Sequence, residues 1–301
     1  MESTKIDITS TVLEKGIDTA KSFLDKLIMP AVEETGLLLK EQVTMWKFKS
    51  QVRMLNKAKA HCEKHNISPK TISLKLLCPL LDYSGIEEDE ILHDKWAILL
   101  ANMVDSEQNI ENHVFPYILS QLSRNEFLVL EKVYDEKQAR VAMLTTELEN
   151  FRHEKPRIEK EIHDKITNLN FKIKALQETG ANYFTEKWEL QKEVRQEESN
   201  LSSLKSQESS FRYKINKPAE IPRNSLKEFE LANVIRLGIV KEEKNFYVNS
   251  QTLEIPMDRG DDERSHNSVD LDFDVDSDTE NILTELGELF INACKEKPKK
   301  V

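Results

Sequence analysis

Apolar positions along most of this chain recur every three or four residues, the period of a helix with one buried face. Val12, Leu13, Ile17, Ala20, Leu24, Leu27 and Ile28 predict a first helical region over residues 10–40, broken or kinked at Pro30. Met45, Phe48, Val52 and Leu55 predict a second helix, which fades at His65 and Asn66 before Ser68 and Pro69. Its other side carries Lys49, Arg53 and Lys57, spaced by four. A short apolar helix follows through Ile72, Leu74, Leu76, Leu77, Leu80 and Leu81, and Pro79 is expected to kink or restart it. Glu87, Glu88 and Asp89 stand where acids favour a helix N-terminus. Leu92, Trp96, Leu99, Leu100 and Met103 continue from there, and the helices so far predict one compact bundle with Trp96 in its core.

Ser123 and Glu126 have the spacing of a capping box and open a long helix. Its seam runs through Val141, Leu144, Leu148, Phe151, Ile158, Ile162, Ile166, Leu169, Ile173 and Leu176. Residues 179–182 (Thr-Gly-Ala-Asn) interrupt it, and a second seam follows through Leu190, Val194, Leu201, Leu204, Phe211 and Ile215. Two arms of ~35 residues, each ~50 Å long at 1.5 Å per residue, predict an antiparallel coiled-coil hairpin. Pro156 is its expected point of kinking. Pro218 and Pro222 end the second arm, Ser225 and Glu228 form another capping box, and a helix over residues 226–237 stops at Gly238. Residues 246–248 and 253–255 look like strand, and residues 269–276 alternate apolar with Asp, as a strand with one acidic face does. Ser277 and Glu280 are expected to cap a last helix holding Ile282, Leu286, Leu289, Phe290 and Ala293.

The predicted fold is therefore mostly α. An N-terminal helical bundle occupies residues 1–112. A small α+β winged-helix-like unit with an acidic wing is built from 113–135 and 218–297, and the coiled-coil hairpin, 136–217, is inserted in it.

Composition sharpens this picture. Only 7 of 301 residues are glycine, and neither a phosphate-loop nor a dinucleotide-binding glycine pattern occurs. The net charge is −11, of which 254–280, with eleven acids against Arg259 and Arg264, supplies −9. The remainder is near neutral, which does not favour a nucleic-acid partner. Cys62, Cys78 and Cys294 are far apart and odd in number, as befits thiols in a reducing cytoplasm. The N-terminus lacks a signal-peptide pattern, and no stretch nears the ~20 apolar residues of a membrane-spanning helix.

Several runs resemble one known family. They are residues 27–36 (LIMPAVEETG), Trp46-Lys-Phe-Lys with Arg53, residues 76–81 (LLCPLL) and residues 96–102 (WAILLAN). Residues 234–240 (VIRLGIV) and 283–294 (LTELGELFINAC) are similar to the family's closing part. Together, and in this order, they resemble the Abi-alpha, or abortive-infection alpha, family, also called domain of unknown function 4393. The resemblance implies a bacterial cytosolic protein of phage defence with no assigned activity. The hairpin and the acidic wing depart from the family pattern, so the resemblance names no partner.

Candidate chemistry is sparse. Trp46, Lys49, Arg53 and Lys57, with Lys47 and Lys59, form a basic stripe able to meet an anion, a nucleic acid, a lipid headgroup or another partner, although such runs usually only solvate a helix. His61 and His65 have the i, i+4 spacing of a helical metal pair, with Cys62 between them, but no further ligand is visible and an exposed histidine pair is common. Arg157 and His163 resemble the arginine–histidine pair of HEPN-type ribonucleases, yet Ile158 stands where that group has a polar residue. Asp270, Asp272, Asp274, Asp276 and Asp278 alternate, but Val275 and Asn281 stand where a calcium loop starting at Asp270 needs Gly and Glu. They are taken as an acidic contact for a partner or a solvated face.

The expected function is that of a non-enzymatic interaction protein, a sensor or effector working through a protein partner or self-association of the hairpin. No catalytic residue, metal or cofactor is expected, and the expected location is the cytoplasm. A membrane-surface effector using the N-terminal amphipathic helices is the alternative, and a HEPN-like ribonuclease stands last.

Overall fold

The computed structural model describes residues 3–27, 45–107, 110, 112–178, 184–249 and 274–297. Among them the chain is mostly helical, with nine helices and one two-stranded antiparallel sheet. It divides into two compact units, one made of Met1–Lys132 and Glu220–Val301, the other of Val133–Ala219. None of the described helices is long and apolar enough to cross a membrane.

In the first unit, α1 (Ser3–Leu27) begins earlier than the apolar repeat suggests, and Ala20, Phe23, Leu24 and Leu27 form its buried stripe. Pro30 lies outside the described residues. Helix α2 (Met45–Lys64) packs on α1 and α4. Its buried face is Ser50, Gln51, Met54, Leu55, Ala58, His61 and Cys62, whereas Phe48 and Val52 are only half-buried. The stripe is turned because two polar residues find acceptors inside: Ser50 Oγ donates to the carbonyl of Ser84 at 3.1 Å and Gln51 Nε2 to that of Leu81 at 2.9 Å.

Helix α3 (Leu74–Ser84) is one continuous element, so Pro79 does not restart it; the ring removes only the N–H that would meet the Lys75 carbonyl. Helix α4 (Glu90–Met103) starts as its acids predict, with the Asp89 carboxylate accepting from the N–H groups of Ile91 and Leu92 at 2.9 and 3.1 Å. Trp96 is fully buried. Helix α5 (Val114–Ser120) was not anticipated, being too short to show a period, yet it buries Phe115, Ile118 and Leu119.

Helix α6 (Arg124–Glu178) opens with the predicted capping box: Ser123 N–H donates to Glu126 Oε2 at 2.6 Å and Glu126 N–H to Ser123 Oγ at 3.3 Å. Helix α8 (Glu228–Arg236) starts three residues later than its predicted Ser225 cap. Lys227 is the N-cap there, its N–H donating to the Glu230 carboxylate at 2.8 Å, so the box is closed by a residue two positions further on than expected. Gly238, at φ 73°, ends the helix as a left-handed C′ residue.

Strands β1 (Val240–Asn249) and β2 (Asp274–Leu283) pair antiparallel, from Val240 opposite Leu283 to Asn249 opposite Asp274. The expected helix cap at Ser277 and Glu280 is corrected by this register: both residues are strand, paired with Phe246 and Glu243. The cap lies at Thr284, whose Oγ1 accepts from Gly287 N–H at 3.1 Å and opens α9 (Glu285–Ala293). The expected strand at 253–255 lies outside the described residues. Phe115 and Phe127 set their rings edge-on to Phe290 of α9, with centroids 5.7 and 6.2 Å apart.

In the second unit, α6 runs through Pro156 without a break, and α7 (Phe184–Asn216) packs against it. Phe151 meets Phe211 at 5.8 Å between ring centroids, Arg152 Nη2 meets Glu208 at 2.9 Å, and Lys165 meets Glu197 at 3.5 Å. Advancing along α6 means retreating along α7, which is the antiparallel sense the sequence predicts. The turn at 179–182 lies outside the described residues.

Candidate functional site

The basic stripe of α2 is placed against acids of α3 and α4. Arg53 Nη1 lies 2.6 Å from Glu90 Oε1, and Lys57 Nζ lies 3.3 Å from Glu90 Oε2 and 2.5 Å from Asp94 Oδ1. Lys47 Nζ meets Asp82 at 3.0 Å, and Lys59 meets Glu63 at 3.8 Å. Hydrogen bonds from Lys57 and then Arg53 hold the Glu90 carboxyl below its usual range. Lys49 is exposed and has no ion pair among the described residues. Trp46 belongs to α2, but its side chain lies outside the described residues. Glu90, His93 and Asp94 also lie close enough to share a cation, yet Arg53 and Lys57 already neutralise the two acids. His93 is buried, with one ring nitrogen 3.3 Å from the Ser50 carbonyl.

The acidic run divides at the boundary of the described residues. Asp270 and Asp272 lie outside them. Asp274 and Asp276 are placed on β2, paired in register with Asn249 and Tyr247. Asp278 forms an ion pair with Arg223.

Arg157 and His163 lie on α6, six residues apart and so roughly 120° apart around it at 3.6 residues per turn. Arg157 is exposed and pairs with Glu161 at 3.8 Å; the His163 Nδ1 lies 2.8 Å from the carbonyl of Glu159. The helix therefore does not bring the guanidinium and the imidazole to one point.

His61 and His65 come together with a residue that the sequence reading passed over. Their rings lie 4.4 Å apart between centroids, and their side chains are 7% and 3% exposed, so the pair is not the exposed one expected. Glu296, just beyond α9, places its carboxylate 4.0 Å from His61 Nδ1 and 3.8 Å from His65 Nε2. Lys64 Nζ donates to the same carboxylate at 2.9 Å. Nothing in the local pattern near Glu296 marks it; only the fold brings it to α2. Cys62 is buried separately, and burial pushes its thiol up to about 11.

On the hairpin, large apolar side chains stay exposed at the end away from the termini of the unit. Phe171, Phe184 and Trp188 are 72%, 75% and 51% exposed. Phe184 and Trp188 are four apart, on one side of α7, and the Lys192 ammonium lies 5.8 Å from the Trp188 ring centre. The available signal was an aromatic residue out of step with the seam.

A family model described as abortive infection alpha matches residues 40–294, which takes in residues of both compact units. No curated protein and no solved structure matches the chain. The matched span covers most of the sequence, and the motifs at 76–81, 96–102 and 283–294 fall within it on α3, α4 and α9. The chain belongs to the abortive infection alpha family.

Proposed function

We propose that this protein serves phage defence in the bacterial cytoplasm as a non-catalytic, protein-binding component, with the α6–α7 hairpin as its recognition element. The family ties the chain to abortive infection. The observation that carries the recognition role is the exposure of three aromatic side chains, Phe171, Phe184 and Trp188, towards the far end of the helix pair; Met143 and Tyr213 are also exposed, nearer the termini of the unit. Exposed aromatic side chains are the usual anchors of protein interfaces, because they bring large apolar area at little entropic cost.

Charge favours a protein over a phosphate-rich partner. Around the aromatics, Lys172, Lys174, Lys187 and Lys192 are balanced by Glu178, Glu186, Glu189 and Glu193. A nucleic acid or an anionic membrane calls for a cationic excess, whereas an apolar pocket on another protein does not. Of the α2 cations that would suit a lipid headgroup, Lys47, Arg53 and Lys57 are engaged by Asp82, Glu90 and Asp94, which leaves Lys49. In this reading the pair is a coiled coil, and the sheet with its flanking helices is a winged-helix-like unit serving structure or protein contact.

The test is a plaque assay in bacteria expressing the full chain, a form with residues 140–214 replaced by a short Gly-Ser turn, or Phe184→Ala/Trp188→Ala. The expected result is protection by the full chain, lost in the other two while both remain folded and expressed. Protection that survives both changes overturns the hairpin's role and leaves function in the first unit.

A further inference from the structure

His61 Nε2 and both ring nitrogens of His65 are buried with no hydrogen-bond partner among the described residues. Three such atoms side by side are unusual, because buried polar atoms in folded proteins nearly always find a partner. The two rings sit on one side of α2, one turn apart, and a carboxylate from the far end of the chain is presented to His61 Nδ1 and to the unpartnered His65 Nε2. That presentation is built. Asn102, fully buried on α4, donates through Nδ2 to the carbonyls of Ala293 and Lys295 at 2.8 and 2.9 Å, and Lys297 forms an ion pair with buried Asp105. Glu296 lies between these two fastenings.

We propose that His61, His65 and Glu296 form a binding site for a zinc-class divalent cation, with a fourth position for water, and that the cation fastens the segment after α9 onto α2. The candidate ligand atoms all lie within 4.8 Å of one another. Zinc bonds of ~2.0–2.1 Å in a tetrahedron set ligand atoms ~3.3 Å apart, so binding needs a closure of about 1 Å. Glu296 is half-exposed on a non-helical segment and can supply that movement. Two imidazoles and one carboxylate suit zinc and its first-row neighbours, whereas magnesium and calcium call for oxygen ligands.

Burial, and then the neighbouring His65 ring, lower the pKa of His61. The Lys64 ammonium competes with the cation for Glu296, since it already holds one carboxylate oxygen. Cys62 takes no part: its sulfur is not among the clustered atoms. The site belongs to the first unit and stands or falls independently of the recognition role.

The test uses the tag-free full chain, stripped of metal with a chelator. Zinc is then titrated in competition with a chromophoric chelator, and thermal unfolding is followed at several free-zinc concentrations. The expected result is one equivalent bound per chain and a Tm that rises with free zinc. Glu296→Gln, at a half-exposed position that leaves the fold intact, should weaken binding by more than the ~10–100-fold typical of losing an outer partner of a metal ligand. Lys64→Met should tighten it, by removing the competing ammonium. No stoichiometric binding to the unaltered chain, or Glu296→Gln binding as tightly as the unaltered chain, overturns the proposal.

Discussion

At Gly287, α9 lies close against Ile239, the residue before β1, and Leu283, the last of β2. A Cβ there would stand 2.3 Å from the carbonyl oxygen of Ile239 and 2.9 Å from Leu283 Cδ1. The first neighbour is backbone, so no rotamer change relieves it. Alanine would gain at most ~1 kcal/mol of helix propensity. Overpacking of this kind costs ~1–3 kcal/mol, and the upper part of that range applies when the obstacle is main chain. Gly287→Ala should therefore lower stability by ~1–2 kcal/mol, read as a lower urea midpoint at unchanged slope; a midpoint at or above that of the unaltered chain would refute the packing argument. The two glycines near this junction differ in how far the sequence discloses them. Gly238 follows an amphipathic run and is legible as a C′ residue, because its φ of 73° answers a local need. Gly287 answers a tertiary need, and a glycine in the first turn of a helix carries no local sign of it. The histidines divide in the same way: their i, i+4 spacing is visible in sequence, while their burial and their approach to Glu296 are not.

Along α7 the buried and half-buried residues all fall on one heptad: Lys187, Leu190, Val194, Glu197, Leu201, Leu204, Glu208, Phe211 and Ile215. The apolar members were legible because period alone identifies them. The charged members were not, because an acid reads as solvated until its partners are known. Glu208 accepts from Arg152 at 2.9 Å and Arg212 at 2.9 Å and meets Lys155 at 3.4 Å, and these cations, Arg152 first, hold its pKa down to about 2. A depressed carboxylate stabilises the folded state above its unfolded pKa, near 4.5, and that contribution is lost as pH falls towards about 2. Thermal melts of the full chain between these limits should show the hairpin helicity weakening with acid. Glu208→Gln should melt lower at neutral pH and lose this part of the acid dependence; a parallel pH profile in the variant would show that the three cations do not act through Glu208. Pairing also explains the misplaced helix cap. Ser277 and Glu280 carry a local capping pattern, but ten residues of strand register outweigh one cap, and Thr284 takes that place.

Helix order and type follow from the chain's periodicity, whereas the closure of the first unit depends on pairs far apart in sequence that no periodicity predicts. Asn102 is the clearest of these. It sits in the apolar run Trp96–Met103, where a polar residue looks out of place, and it is 1% exposed. Its amide joins α4 to the carbonyls at the end of α9, 191 and 193 residues later in the chain. Phe290, also fully buried, packs against Phe115 and Phe127 in the same unit, so the end of the chain belongs to the core built by its first half. Replacing Asn102 by alanine removes both hydrogen bonds to the C-terminal segment. The expected loss is ~1–3 kcal/mol, the net contribution of two such bonds. The effect should also be local. With the clamp gone, the segment bearing Lys295 and Lys297 opens more often, and limited trypsin digestion should remove the C-terminus faster than it cuts α4 at Lys95. A variant that loses stability but shows no preferential cleavage there would make Asn102 an ordinary core residue. Preferential cleavage that zinc suppresses in the otherwise unaltered chain, and fails to suppress in Glu296→Gln, would show that the amide and the cation hold the same segment from its two sides.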